Sequence, residues 1–77
     1  MEFTSIVLYK DDLTFYNVLA RDNQTFKARL LKSDGYSQPP KEIELRKEGD
    51  QWAGDADEDL LQFLGFDINW KLKYKDA

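Results

Sequence analysis

Residues 42–66 read EIELRKEGDQWAGDADEDLLQFLGF, and this stretch decides the fold class. Its first part alternates apolar and polar side chains with Ile43 and Leu45 on one face, which predicts a strand. A turn at residues 48–50 leads into a second short strand, in which Trp52 is predicted to anchor the core. The acidic segment that follows has the composition of a helix start, so strands and helix occupy separate parts of the chain.

The acidic segment predicts one short helix over about residues 56–64. Asp55 is the predicted N-cap and Glu58 the N3 residue of a capping-box pair, since each carboxylate then accepts a backbone N–H that has no partner inside the helix. Gly65 is predicted to end the helix as a left-handed C′ residue. A helix of this length is unstable alone, so we expect it to pack on the sheet.

The same acidic segment allows two functional interpretations, a calcium loop and a catalytic carboxylate pair. An EF-hand loop that begins at Asp55 needs glycine at its sixth position and glutamate at its twelfth, but Leu60 and Phe66 stand there. General acid–base catalysis needs two carboxylates in different environments, whereas Asp55, Asp57 and Asp59 on a solvated helix start would all ionise. We therefore predict no metal, no cofactor and no catalytic residue in this segment.

The first 33 residues predict a meander of three strands. The predicted strands cover residues 2–10, 13–20 and 25–32. Residues 13–20 also fit one face of a helix, and we favour a strand there because β-branched and aromatic residues dominate. The third strand alternates, with Phe26, Ala28 and Leu30 directed inward.

The end of the chain shows the most regular alternation, and residues 68–75 are predicted to form the last strand. Its apolar face would carry Ile68, Trp70, Leu72 and Tyr74, and its polar face the intervening lysines. Taken together, the sequence predicts a single α+β domain over residues 1–77. We expect a mostly antiparallel sheet of five or six strands with the short helix packed on one face.

Composition and charge exclude several classes of function. The 77 residues include no cysteine and no histidine, which removes Ser–His and Cys–His catalysis and thiolate or imidazole metal sites. The net charge is −4, and residues 41–66 carry eight acidic side chains against three basic ones, which disfavours nucleic acid. The chain shows neither a signal peptide nor a spanning helix, so we expect no membrane association and a cytoplasmic location. We expect that the protein is not an enzyme.

Two kinds of binding function remain. The first is a non-catalytic interaction module that binds an unknown protein partner or itself, as a homodimer formed through an exposed strand edge. The alternative is a binder of a small ligand, carbohydrate or peptide that uses aromatic rings near the irregular loop at residues 33–41. Tyr36, Tyr16 and Tyr9 are the candidate surface residues, because aromatic rings provide large contact areas at small entropic cost.

Several segments between residues 39 and 68 resemble small uncharacterised bacterial domains. They are the Pro39-Pro40 pair, the run IELRKEGDQW, the acidic helix start and the run LGFDI. In those domains strands precede a short helix near the C-terminus. The resemblance implies the same α+β order of elements and transfers no functional residues.

Overall fold

The computed structural model describes residues 2–74, which form five strands followed by one helix. The elements are β1 (Glu2–Tyr9), β2 (Asp12–Ala20), β3 (Thr25–Ser33), β4 (Glu42–Glu48), β5 (Gln51–Gly54) and α1 (Glu58–Tyr74). The strands pair in the order β1-β2-β3-β4-β5, every neighbouring pair is antiparallel, and the sheet curls into a half-barrel. The α+β prediction is confirmed, with five strands.

Tight turns explain why the first three strands form a meander. Lys10 and Asp11 connect β1 to β2 with φ angles of 50° and 68°, the left-handed pair that a two-residue hairpin turn requires. Between β2 and β3, the Asp22 carboxylate accepts hydrogen bonds from the backbone N–H groups of Gln24 and Thr25, both at 2.8 Å. These hydrogen bonds lower the pKa of Asp22 below its ordinary value, because they stabilise the ionised form.

The core lies between the inner face of the sheet and one face of α1. Its buried apolar residues are Val7, Tyr16, Val18, Phe26, Ala28, Ile43, Leu45, Trp52, Leu60, Leu61, Leu64 and Ile68. The predicted inward positions of Ile43, Leu45 and Trp52 are confirmed. Trp52 packs against Phe26 with ring centroids 5.5 Å apart and ring planes tilted by 56°.

Helix α1 is longer than predicted, and it includes the segment predicted as the last strand. It begins at Glu58 and continues through Gly65 to Tyr74. The strand prediction for residues 68–75 is therefore wrong, although residue 75 itself lies outside the described residues. Leu60, Leu64 and Ile68 follow one another at intervals of four, which places them on one buried helical face.

Gly65 does not end the helix, contrary to the prediction. It lies inside α1 opposite the indole of Trp52, where a Cβ atom would overlap the five-membered ring. A glycine at this position lets helix and sheet approach more closely than any other residue would. The predicted C′ role is therefore replaced by a packing role.

The predicted N-cap is also displaced by two residues. The backbone carbonyl of Asp57 accepts a hydrogen bond from the N–H of Leu61 at 3.0 Å, so Asp57 directly precedes the first helical turn. Asp55 instead accepts a hydrogen bond from the backbone N–H of Glu44 at 3.0 Å. It thereby ties the segment after β5 to β4.

Helix α1 packs across the opening of the half-barrel and contacts β1, β4 and β5. The Ser5 hydroxyl on β1 donates a hydrogen bond to Oδ2 of Asp67 at 2.6 Å. Near the end of the helix, Nζ of Lys71 lies 5.6 Å from the ring centroid of Phe3. Within residues 2–74, no helix has the length and apolar character needed to cross a membrane.

Candidate interaction surface

Helix α1 carries a second apolar face, directed away from the sheet. Phe63, Phe66 and Trp70 follow one another at intervals of three and four, so they lie on one side of the helix. Their exposed fractions are 48%, 73% and 53%. We call these three residues the aromatic face. Aromatic side chains exposed in a row are uncommon on a small domain, and such patches mark binding surfaces.

Polar groups surround the aromatic face. A shallow depression next to β5 is lined by Phe63 and Phe66, by Trp52 from the sheet, by Asp50 in the turn before β5, and by Gln62 and Asn69 on the helix. The mostly buried Trp52 therefore extends the ring surface toward the second hairpin. An apolar centre with amide groups at its rim is the usual composition of a protein-binding patch.

The two ends of the aromatic face have opposite charge. Glu58 and Asp59 lie in the first turn of α1, and Lys71 and Lys73 lie in its last turn. Each pair also stabilises the dipole of its own helix, with acidic groups at the N-terminus and basic groups at the C-terminus. A partner that lies along this face would meet negative charge at one end and positive charge at the other.

The structure does not bring the three candidate tyrosines together. Tyr36 is fully exposed, whereas Tyr16 is completely buried and donates a hydrogen bond to the carbonyl of Pro40 at 2.7 Å. Burial, and secondarily the nearby Tyr9, raises the pKa of Tyr16 to about 12. The hydroxyl of Tyr9 donates to Oδ2 of Asp57 at 3.3 Å, at the start of α1. These residues therefore form no common surface.

The irregular loop that contains Tyr36 is bound to the start of β2. The carboxylate of Asp12 accepts a hydrogen bond from the backbone N–H of Ser37 at 3.1 Å. Gly35 lies against the same carboxylate, which a Cβ atom at this position would overlap. The loop is thus held on the domain, and the ring of Tyr36 projects from it.

The acidic segment has structural contacts at two of its three aspartates. Asp55 binds the backbone of β4, and Asp57 binds the hydroxyl of Tyr9. Asp59 is exposed in the first turn of α1. Within residues 2–74, no group of three or more carboxylates is placed so that it could hold a metal ion.

A second exposed apolar area lies on the outer face of the sheet. It is formed by Ile6 and Leu8 of β1, their cross-strand partners Phe15 and Leu13 of β2, and Leu31 of β3. We call it the outer sheet patch. Part of this patch lies on β1, an edge strand of eight residues. The fold therefore contains an edge strand of the kind that the sequence analysis considered for self-association.

The sequence interpretation missed the aromatic face because it placed Trp70 in a strand. The signal that would have found it is the helical spacing of Phe63, Phe66 and Trp70, which continues past Gly65. Gly65 was interpreted as a helix end, and this single assignment separated Phe63 from Phe66 and Trp70.

Comparisons with other proteins identify no relative. No family model, no curated protein and no solved structure matches this chain. The candidate interaction surface therefore rests on the geometry and chemistry of its own residues.

Proposed function

We propose that this protein is a non-catalytic interaction module and that the aromatic face of α1 is its binding surface. The observation that supports the proposal is that α1 is apolar on two sides. Leu64 and Ile68 are buried against the sheet, while Phe66 and Trp70 face solvent. A group of neighbouring exposed aromatic side chains, on a helix whose opposite face is already buried, is typical of a surface that a partner covers.

The exposed rings are large enough to support a complex. Covering the exposed parts of Phe63, Phe66 and Trp70 would remove roughly 350 Å² of apolar surface from water, worth about 9 kcal/mol at ~25 cal/mol per Å². Association costs about 4–15 kcal/mol in lost translational and rotational freedom. The rings alone offset only the lower part of this range, so a complex of weak to moderate affinity also needs polar contacts from the rim residues Gln62 and Asn69.

Site-specific crosslinking in cells tests the proposal. A photo-activatable side chain placed at Gln62, beside Phe63 and Phe66, should give discrete crosslinked species when the protein is expressed in its native cell. The same side chain placed at Asn23, an exposed residue in the turn after β2, is the matched control. Adducts from position 62 with none from position 23 are expected.

A second variant connects the crosslinks to the rings. Replacing Phe66 with Ala should remove most of the adducts formed from position 62, because Phe66 is the most exposed ring of the aromatic face. The domain should stay folded, because the ring of Phe66 is mostly exposed and is not part of the core. Equal adducts from positions 62 and 23, or adducts that persist in Phe66→Ala, would contradict the proposal.

The small-ligand function stays the alternative prediction, and Tyr36 is its one supporting residue among the three candidate tyrosines. Chemical-shift mapping with sugar, nucleotide and peptide panels would test it, with the loop at residues 33–41 as the expected site. The cytoplasmic location is part of the proposed function, and a fluorescent fusion imaged in the native cell would check it.

A further inference from the structure

We propose that the partner of the aromatic face is a second copy of this chain, paired through α1 in antiparallel orientation about a two-fold axis beside Phe66. This inference rests on the proposed function, since it identifies the occupant of the same surface. An antiparallel helix pair is isologous, which means that the same residues form both halves of the interface. The residues along the aromatic face have the order that such an interface needs.

The charged residues are placed symmetrically about Phe66. Asp59 precedes Phe66 by seven residues and Lys73 follows it by seven, so both lie close to the same helical line two turns away. In an antiparallel pair centred on Phe66, Asp59 meets the partner's Lys73, and Lys73 meets the partner's Asp59. Two unlike-charge contacts therefore form at opposite ends of one interface.

The uncharged residues obey the same symmetry. Gln62 and Trp70 lie four residues before and after Phe66, and Phe63 and Asn69 lie three residues before and after it. Trp70 therefore lies beside the partner's Phe63, and Asn69 lies beside the partner's Gln62, because these pairs share one side of the two-fold axis. Phe66 meets the partner's Phe66 at the axis. All these side chains occupy about 120° of the helix circumference at roughly 100° per residue. The interface consequently has an aromatic centre and charged ends.

The charge pattern favours a second copy over an anionic membrane surface. A membrane of this kind would attract Lys73 but would repel Glu58 and Asp59, which lie on the first turn of the same helix. A second copy in antiparallel orientation places unlike charge beside both ends of the helix. The helix dipoles also oppose each other favourably in this arrangement.

A charge exchange tests the pairing directly. Asp59→Lys places a lysine opposite the partner's Lys73, and Lys73→Asp places an aspartate opposite the partner's Asp59, so each single variant should raise the dimer Kd by about tenfold. The double variant restores unlike pairs and should return the Kd to within about threefold of the original value. Sedimentation velocity from micromolar to millimolar protein measures all four Kd values.

The double variant distinguishes an interface from a structural effect within one chain. Positions 59 and 73 are fourteen residues apart, about 21 Å along α1, so they do not pair within one helix. If the two charges acted only on the dipole of their own helix, the double variant would be the least stable of the four. Restored dimerisation in the double variant is the expected result, and a double variant that dimerises as weakly as the single variants would contradict the pairing.

Two further variants keep the test decisive. Phe66→Glu should give a monomer, whereas Ile6→Lys, at an exposed apolar position of edge strand β1, should leave the dimer unchanged. Loss of the dimer in Ile6→Lys alone would assign self-association to the strand edge and overturn the helix pairing.

A protein that is monomeric at millimolar concentration would also overturn the inference, and so would a monomer that binds vesicles containing phosphatidylserine. Crosslinks from position 62 to a different protein in cells would then still support the proposed function. The experiments therefore distinguish failure of the self-pairing from failure of the proposed interaction surface.

Discussion

Replacing Gly65 with alanine tests how closely α1 approaches the sheet, because two effects of opposite sign compete at this position. In a helix interior, alanine is more favourable than glycine by about 1 kcal/mol. A Cβ atom at residue 65 would, however, overlap the five-membered ring of Trp52. Forcing an extra carbon into a packed core costs about 1–3 kcal/mol. We expect the overlap to dominate and the free energy of unfolding to fall by about 1 kcal/mol.

The destabilising effect of Gly65→Ala depends on the ring of Trp52. When that ring is removed, the same substitution should stabilise the domain. In a Trp52→Leu background, Gly65→Ala should raise the free energy of unfolding by about 0.5–1 kcal/mol, since the helix-propensity gain then acts alone. The coupling between the two positions would be roughly 1–3 kcal/mol, as expected for residues in direct contact. A domain of this size has about 4–11 kcal/mol of stability, so the single variants should remain folded.

Urea denaturation followed by far-ultraviolet circular dichroism at one protein concentration gives the four free energies. A stabilising Gly65→Ala in the original background would refute the close approach of α1 to Trp52. The same conclusion would follow from equal effects of Gly65→Ala in both backgrounds, because residue 65 would then be independent of the indole.

Three further predictions concern other contacts. Ser5→Ala should lower the free energy of unfolding in urea by about 1–3 kcal/mol, because Asp67 loses a hydrogen bond to its charged carboxylate; an unchanged midpoint would contradict this role. Asp57→Ala should destabilise the domain by about 0.5–1.5 kcal/mol, as seen in the thermal midpoint, because the Tyr9 hydroxyl loses its acceptor and the helix start loses a negative charge. Because the pKa of Tyr16 is raised to about 12, its stabilising effect should be complete below about pH 10 and should decline as the pH rises toward 12. In a titration of tyrosinate absorbance, Tyr16→Phe should remove the latest step.

The five strands were predictable because each has one buried face and three of the four connections between them are short turns. Ile43 and Leu45 alternate with charged residues on β4, and the structure buries both of them. A slip of one residue would expose the whole apolar set, so the pattern strongly constrains the register. Residues 13–20, which also fit a helical face, form a strand because they pair with β1 on one side and β3 on the other.

The extent of α1 was mispredicted because Gly65 has the local signature of a helix end, whereas its role is set by contact with a distant residue. In the sequence, a glycine after an apolar run is typical of a helix end. In the structure, the indole of Trp52 occupies the space where a side chain at residue 65 would lie. Since β5 brings that indole to α1, the need for glycine arises from tertiary packing and has no signature within the helix itself.

The difficulty in predicting α1 and the proposal for its function have the same physical cause. An amphipathic helix shows a clear period because its apolar residues occupy one side, but α1 is apolar on two sides, with Ile68 buried and Trp70 exposed. When both sides of a helix are apolar, apolar residues can occur at every second position, as they do in a strand. This pattern is why residues 68–75 were predicted to form a strand. Local rules tend to fail where a sequence serves a purpose besides folding. The second apolar face is not required by the core of the monomer, and the proposed partner would cover it.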